Sequence, residues 1–252
     1  MNGTVEEVRA AIISSARLNC GFKQVFETSP ATMPDADLLA LLGKALAAYQ
    51  EGLSIGVSAF DRFRTALLNG DQESISEYRR AARRGLKLFV GYARCSICHF
   101  GPAFSNGEFG SAGIQYFVAQ GRVDSGRFFG IRHLRTTSMN RLGRFNDDPN
   151  LVPGTATRHV AVHPRTFGQF KVPSLLNVAL TAPYMHAGSH PSLKSMVGHY
   201  NDINIEYLHT DGERILRSLK LTPEDVDALV AFLGTLSGPL LDSTADGTLD
   251  CP

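Results

Sequence analysis

The stretch ARCSICHFG, Ala93 to Gly101, sets two cysteines in the spacing C-x-x-C with a histidine directly after the second. Covalent haem c attachment needs two thiols to form thioethers with the porphyrin vinyl groups and an adjacent imidazole beneath the iron. Cys95, Cys98 and His99 supply all three within five residues. Two other chemistries use a C-x-x-C. A thioredoxin-type dithiol follows a strand of a βαβ unit, whereas here helical periodicity from Ile75 to Phe89 leads into the motif. A structural zinc site needs a second Cys or His pair at ligand spacing, and Cys20 and Cys251, far apart near the two ends, form none. Spacing alone pairs those two with nothing, and it favours a buried free thiol and a tail thiol over a disulfide.

Outward from the motif, apolar residues recur at helical spacing over Val5 to Leu18, Leu38 to Tyr49 and Ile75 to Phe89. Thr4 and Glu7 form a capping box at the first of these. A last helix opens with Thr222 as N-cap, Pro223 at its first position and Asp225 completing a capping box, and Gly238 with Pro239 closes it. Between His99 and Phe170 the pattern vanishes: ten of the 24 glycines fall there, with no sustained period, so the segment reads as loop. A loop that long suits a compact domain only when something besides side chains supplies a core, as a haem would. The expected fold is mainly α: a cytochrome c-like haem domain with long loops over 73–240, preceded by a helical segment over 1–72 and followed by a tail over 241–252.

Composition excludes some partners. Lys+Arg 25 against Asp+Glu 24 leaves a net charge of +1 over 252 residues, so no global field draws the chain to nucleic acid or to an anionic membrane. No apolar run reaches the roughly 18 residues of a membrane span, and the N-terminal stretch shows no export signal. The run RRAARRGLK places Arg79 with Arg83 and Arg80 with Arg84 at i,i+4, which reads as a solvated face, with a docking patch or haem-propionate partners as the alternative.

A second axial ligand usually comes from far along the chain, which leaves Met, His and Tyr after Phe170 as candidates. The stretch FKVPSLLNVALTAPYMHAGSHPSLKSMVGHYN, Phe170 to Asn201, resembles the signature F-K-T/V-P-S/T-L-R-N-V-A-L-T-A-P-Y-F/M-H-x-G of the bacterial di-haem cytochrome c peroxidase and MauG family. KALAAYQEGL, SAFDRF and AARRGLKLFVGYARCSICHFGPAFSNGEF also resemble segments of that family, so the likeness runs over most of residues 35 to 237. It implies His99 as proximal ligand. The peroxidases place a distal methionine fourteen residues after the P-Y-F/M-H histidine; that histidine is His186 here, and the position is Tyr200, as in MauG-like proteins. A phenolate favours ferric and higher-valent iron where a thioether favours ferrous. Met185 and Met196 are rivals for the position, although methionine at helical spacing also serves as core filler. The likeness sets His186 near the haem pocket, with a satisfied buried histidine as the alternative, and His199 reads as solvated. It also implies a calcium ion held partly by the backbone carbonyls of Thr181 and Pro183.

The chain departs from that pattern in several places. It has one C-x-x-C-H where the family has two, and no tryptophan; Leu176 and Ala187 replace the usual arginine and Asp/Asn, and 121–169 is unassigned. MNGTVEEV resembles the stretch after the family's N-P-x-E-M, with Met1 at its methionine, so the chain is expected to be the C-terminal haem domain of a longer protein or to start downstream of the true one. The resemblance implies a periplasmic oxidoreductase that uses hydrogen peroxide at a second haem and exchanges electrons with a donor protein, a small cytochrome or cupredoxin, or oxidises a protein substrate. The catalytic residues of the peroxide site are then expected outside this chain. Residues 1–252 alone are expected to bind one haem c without efficient peroxide turnover. The alternative is a mono-haem electron-transfer cytochrome.

Overall fold

The computed structural model describes residues 3–114, 117–148, 150–208, 215–242 and 251; Met1 lies outside them. The chain forms two compact units, Met1–Ser54 with Leu240–Pro252, and Ile55–Pro239. This divides the chain differently from the expected 1–72, 73–240 and 241–252, since residues 55–72 fall with the larger unit and the tail with the smaller.

The smaller unit holds α1 (Val5–Ser14), α2 (Ala16–Phe26) and α3 (Asp35–Gly52). Both halves of the Thr4/Glu7 capping box form. The single helix expected over Val5 to Leu18 is two: Ser15 turns extended and its hydroxyl accepts from the Leu18 N–H, so a capping side chain ends one helix and opens the next. Ile12, Phe22 and Leu38 form the core, with Val8, Phe26 and Leu41 against it. Arg9 reaches Asp35 at 2.5 Å and the Pro30 carbonyl. Cys20 and Cys251 are joined in a disulfide with a Cα–Cα distance of 5.7 Å, which overturns the expected pair of separate thiols. The partners are 231 residues apart, and only the return of the chain end to α2 brings them within bonding geometry.

The larger unit holds α4 (Ala59–Asn69), α5 (Gln72–Glu77), α6 (Arg80–Val90), α7 (Arg127–Thr136), α8 (Thr155–His159), α9 (Leu193–Asn201) and α10 (Pro223–Gly234). Its core gathers Phe89 of α6, Leu193 and Val197 of α9, and Val226, Leu229, Phe232 and Leu233 of α10, with Leu175, Val178 and Tyr184 from the connecting segments. Ala82, Gly85 and Phe89 lie on one face of α6, and Gly85 lets α10 approach backbone to backbone. The helix expected from Ile75 to Phe89 breaks at Tyr78, which is extended. Its ring stacks on Phe63 at 4.0 Å and its hydroxyl meets the Thr235 hydroxyl at 2.7 Å, so tertiary contacts override the local pattern. Thr222 caps α10 as expected, and the Asp225 carboxylate accepts from Arg84 at 2.7 Å; Arg79, Arg80 and Arg84 are all exposed, so the run keeps its solvated face while Arg84 also bridges to α10. α10 ends at Gly234, four residues before Gly238, whose N–H donates to the Asn177 side chain.

The segment read as loop contains α7, where only Ile131 is buried, so the helix leaves no apolar stripe to detect. Phe109–Ser111 also pairs antiparallel with Gln169–Lys171, closing this segment into a loop with its ends side by side.

Candidate functional site

α6 delivers the cysteine motif. Past Val90 the Gly91 N–H bonds back to Lys87 O and the Ala93 N–H to Leu88 O, and Arg94 in the left-handed region starts a 3-10 turn over Cys95–Ile97. The Cys98 and His99 N–H groups both donate to Cys95 O, at 3.3 and 2.9 Å. Both thiols and the imidazole are thereby wound onto one turn. Neither Cys95 nor Cys98 is in a disulfide. Burial, reinforced by Cys98, pushes the Cys95 thiol up to about 11. A dithiol oxidoreductase needs the opposite shift, because the thiolate is the nucleophile. Among the described residues no group of three or more His, Cys, Asp or Glu is placed to hold a metal ion.

His99 is fixed by its neighbours. Its Nδ1 lies 2.9 Å from the Phe104 carbonyl oxygen, and because a carbonyl only accepts, Nδ1 carries the hydrogen and Nε2 keeps the lone pair a metal needs. Burial holds the imidazole pKa below its usual value, partly offset by the backbone of Phe104 and Pro173, which keeps the ring neutral.

α9 supplies the partner side chains. Ser192 and Ser195 cap it reciprocally, and Met196 and Tyr200, one helical turn apart, share a face that packs on the same core as Cys95 and Phe104. Tyr200 is partly accessible as a residue, but its hydroxyl end is enclosed. Burial first, then Cys95 and Cys98, pushes its phenol up to about 12. Met185 sits on the turn before α9 with a left-handed backbone, φ 67°, and is not among the side chains packed on that core.

His186 is engaged elsewhere. Its ring stacks on Phe170 with centroids 3.6 Å apart, and its Nε2 lies 3.7 Å from an Asp124 carboxylate oxygen. Sequence reading had no means to find Asp124, which is 62 residues away and ordinary in its surroundings. His199 is not solvated as expected: its Nε2 meets the Ala112 carbonyl at 2.8 Å, and its ring tilts against His190 and Tyr200. Thr181 and Pro183 lie on an exposed segment, with the Thr181 hydroxyl donating to Val178 O.

Two thiols and an imidazole thus share one turn, and Met196 and Tyr200 pack against the same core as Cys95; these are donor types that c-type haem proteins use. No family model matches the chain. It is 32% identical over 237 residues to a cytochrome-c peroxidase of Pseudomonas sp. (strain SCT), covering 90% of this chain and 56% of that one. It is 27% identical over 236 residues to the methylamine utilization protein MauG of Methylophilus methylotrophus, covering 92% and 56%. The chain thus spans about half the length of the curated relatives it matches. Among solved structures, it is similar in fold to the diheme peroxidase BthA from Burkholderia thailandensis, with a TM-score of 0.58 at 18% identity, covering 100% of this chain and 64% of that one. The fold is mainly α and cytochrome c-like.

Proposed function

Because this chain belongs to the bacterial di-haem cytochrome c peroxidase and MauG family, we propose that it is a c-type haem domain that passes electrons and holds oxidising equivalents during peroxide-dependent oxidation. One observation carries the reading: the turn bearing Cys95 and Cys98 also bears a His99 whose Nδ1 is committed to Phe104 O, a tautomer that puts the ring's lone pair on Nε2, the atom a haem iron would take. When bound, the haem supplies the one-electron chemistry. The chain's own residues hold and tune it. Cys95 and Cys98 anchor it, His99 is the proximal ligand, and Tyr200 the distal one, with Met196 as the rival that shares its face.

Burial pushes the Tyr200 phenol up to about 12, so ligation requires the phenolic proton to leave. An anionic oxygen donor then favours the oxidised metal, which suits storage of oxidising equivalents better than shuttling electrons at high potential. His186, paired with Asp124, is read as a pocket-side structural residue rather than a ligand. The Thr181 and Pro183 carbonyls are read as part of a calcium site completed by other residues. The partners proposed are hydrogen peroxide together with an electron-donor protein or a protein substrate. The location proposed is the periplasm, where both the thioethers and the Cys20–Cys251 disulfide can form. Residues 1–252 by themselves are proposed to bind haem without efficient peroxide turnover.

The test is expression with a haem-attachment system, followed by mass spectrometry of the Cys95/Cys98 peptide and electronic spectra of the parent and Tyr200→Phe. A haem-modified peptide is expected, with a spectrum that changes on removal of the phenol. An unmodified peptide would end the haem reading, and a thioether charge-transfer band that persists in Tyr200→Phe would replace Tyr200 by a methionine.

A further inference from the structure

His99 sits where two segments far apart in sequence are cross-linked. The Ser105 hydroxyl donates to Val172 O at 2.7 Å, and the Ser174 hydroxyl donates back to Ala103 O at 2.7 Å. Each hydroxyl also accepts from the N–H two residues ahead of it, Gly107 for Ser105 at 3.0 Å and Leu176 for Ser174 at 3.1 Å. Each serine is therefore locked on its own side while it reaches across, and the two bonds run in opposite directions.

The residues enclosed by this cross-link are Phe104, between Ala103 and Ser105, and Pro173, between Val172 and Ser174. They are the two whose backbone meets the His99 imidazole. The cross-link continues an existing alignment: Phe109–Ser111 pairs with Gln169–Lys171, and the Val172 N–H donates to Glu108 O at 2.8 Å. Phe104 also has a backbone that does not hold itself. Its φ of 49° lies in the left-handed region, uncommon for an aromatic residue and stable only where the surroundings over-determine it.

We propose that Ser105 and Ser174 are positioning residues for His99: their crossed hydroxyl-to-carbonyl bonds fix the Phe104 carbonyl against Nδ1 and so set the orientation and donor strength of the imidazole toward haem iron. This rests on His99 being the proximal ligand. An Nδ1–H held firmly by a carbonyl makes the imidazole a stronger donor, which stabilises ferric iron. Loosening the carbonyl weakens the donor and raises the midpoint potential.

The experiment is a spectroelectrochemical titration of the matured parent, Ser105→Ala, Ser174→Ala and the double variant, with low-temperature EPR of each ferric form. The double variant is expected to shift the ferric/ferrous equilibrium about tenfold toward ferrous, a rise of about 59 mV for one electron, with altered g values. Each single variant is expected to give a smaller rise, and Ser174→Thr, which keeps the hydroxyl, a near-parental value. Potentials and g values unchanged in the double variant would overturn the proposal. If the double variant takes up no haem, Ser174→Ala decides alone, since its hydroxyl is exposed: an unchanged potential overturns the proposal and a rise restored by Ser174→Thr supports it. A colourless parent would instead fail the haem reading on which this inference stands.

Discussion

A β-carbon built on Gly85 would lie 2.0 Å from the carbonyl oxygen of Ala228. α6 and α10 therefore touch backbone to backbone, and the turn bearing Cys95 and Cys98 hangs from the end of α6 that this contact holds in place. Gly85→Ala must push the helices apart against Ala82, Phe89, Leu229 and Phe232. The expected loss is roughly 1–3 kcal/mol or more, as for other overpacked cores, read as a lower thermal midpoint. Gly43→Ala in α3, where a β-carbon meets nothing within 4 Å, is the control. It is expected to gain about 0.4–1 kcal/mol through the unfolded chain. Equal effects at the two sites would refute the close-contact account.

The contrast between these glycines also shows what a sequence can and cannot reveal. The helix content, the Thr4/Glu7 and Thr222 caps and the Cys95–His99 motif were legible because each is encoded within about five residues, where periodicity and capping chemistry act. The proposal of Tyr200 as a ligand comes only through resemblance to a known signature. What stayed hidden depends on contacts formed across long separations: the break at Tyr78, the carbonyl opposite His99 Nδ1, the Asp124 partner of His186 and the Cys20–Cys251 bond. α7 was hidden for a different reason, since a helix that buries only Ile131 has no stripe to betray it.

The Cys20–Cys251 disulfide closes a loop of 231 residues, so by chain entropy it restricts the unfolded chain strongly. Cys20→Ser is expected to cost about 2–5 kcal/mol. The same drop should follow from Cys251→Ser, and from dithiothreitol acting on the parent. A melting curve of the parent that reductant leaves unmoved would show the bond is absent in solution.

Arg84 and Asp225 join α6 to α10 at 2.7 Å, and this bond, more than the Thr222 contacts, holds the Asp225 pKa below its ordinary value. A depressed carboxylate contributes stability above its unfolded pKa, and loses it as pH falls through the lower folded value. Arg84 is 57% exposed, so solvent screening keeps the pair to roughly 0.2–1 kcal/mol. Arg84→Met, which keeps the apolar stem, is expected to lower stability by that amount near neutral pH. The gap to the parent should close as pH falls below about 4 and through the folded value. A gap constant down to pH 2 would mean that the ion pair contributes nothing to stability.

Met196 and Tyr200 share one face of α9, so under the proposed haem reading either a thioether or a phenolate would come from the same helix. The two differ in how they respond to acid. A thioether has no proton to regain, whereas a phenolate competes with protons for its place, and the burial that pushes the Tyr200 phenol up to about 12 favours the protonated form. With Tyr200 as ligand, acidifying the matured protein is expected to displace the phenol and change the spectrum. Met196→Leu should retain that transition and Tyr200→Phe should abolish it at every pH. Substituting Met196 by the similar-sized Leu costs less than about 1.5 kcal/mol in packing, so the folded variant can be compared directly. The reverse outcome, an acid-insensitive spectrum in the parent that Met196→Leu alters, would assign the position to the thioether and favour the electron-carrier reading over the proposed storage of oxidising equivalents.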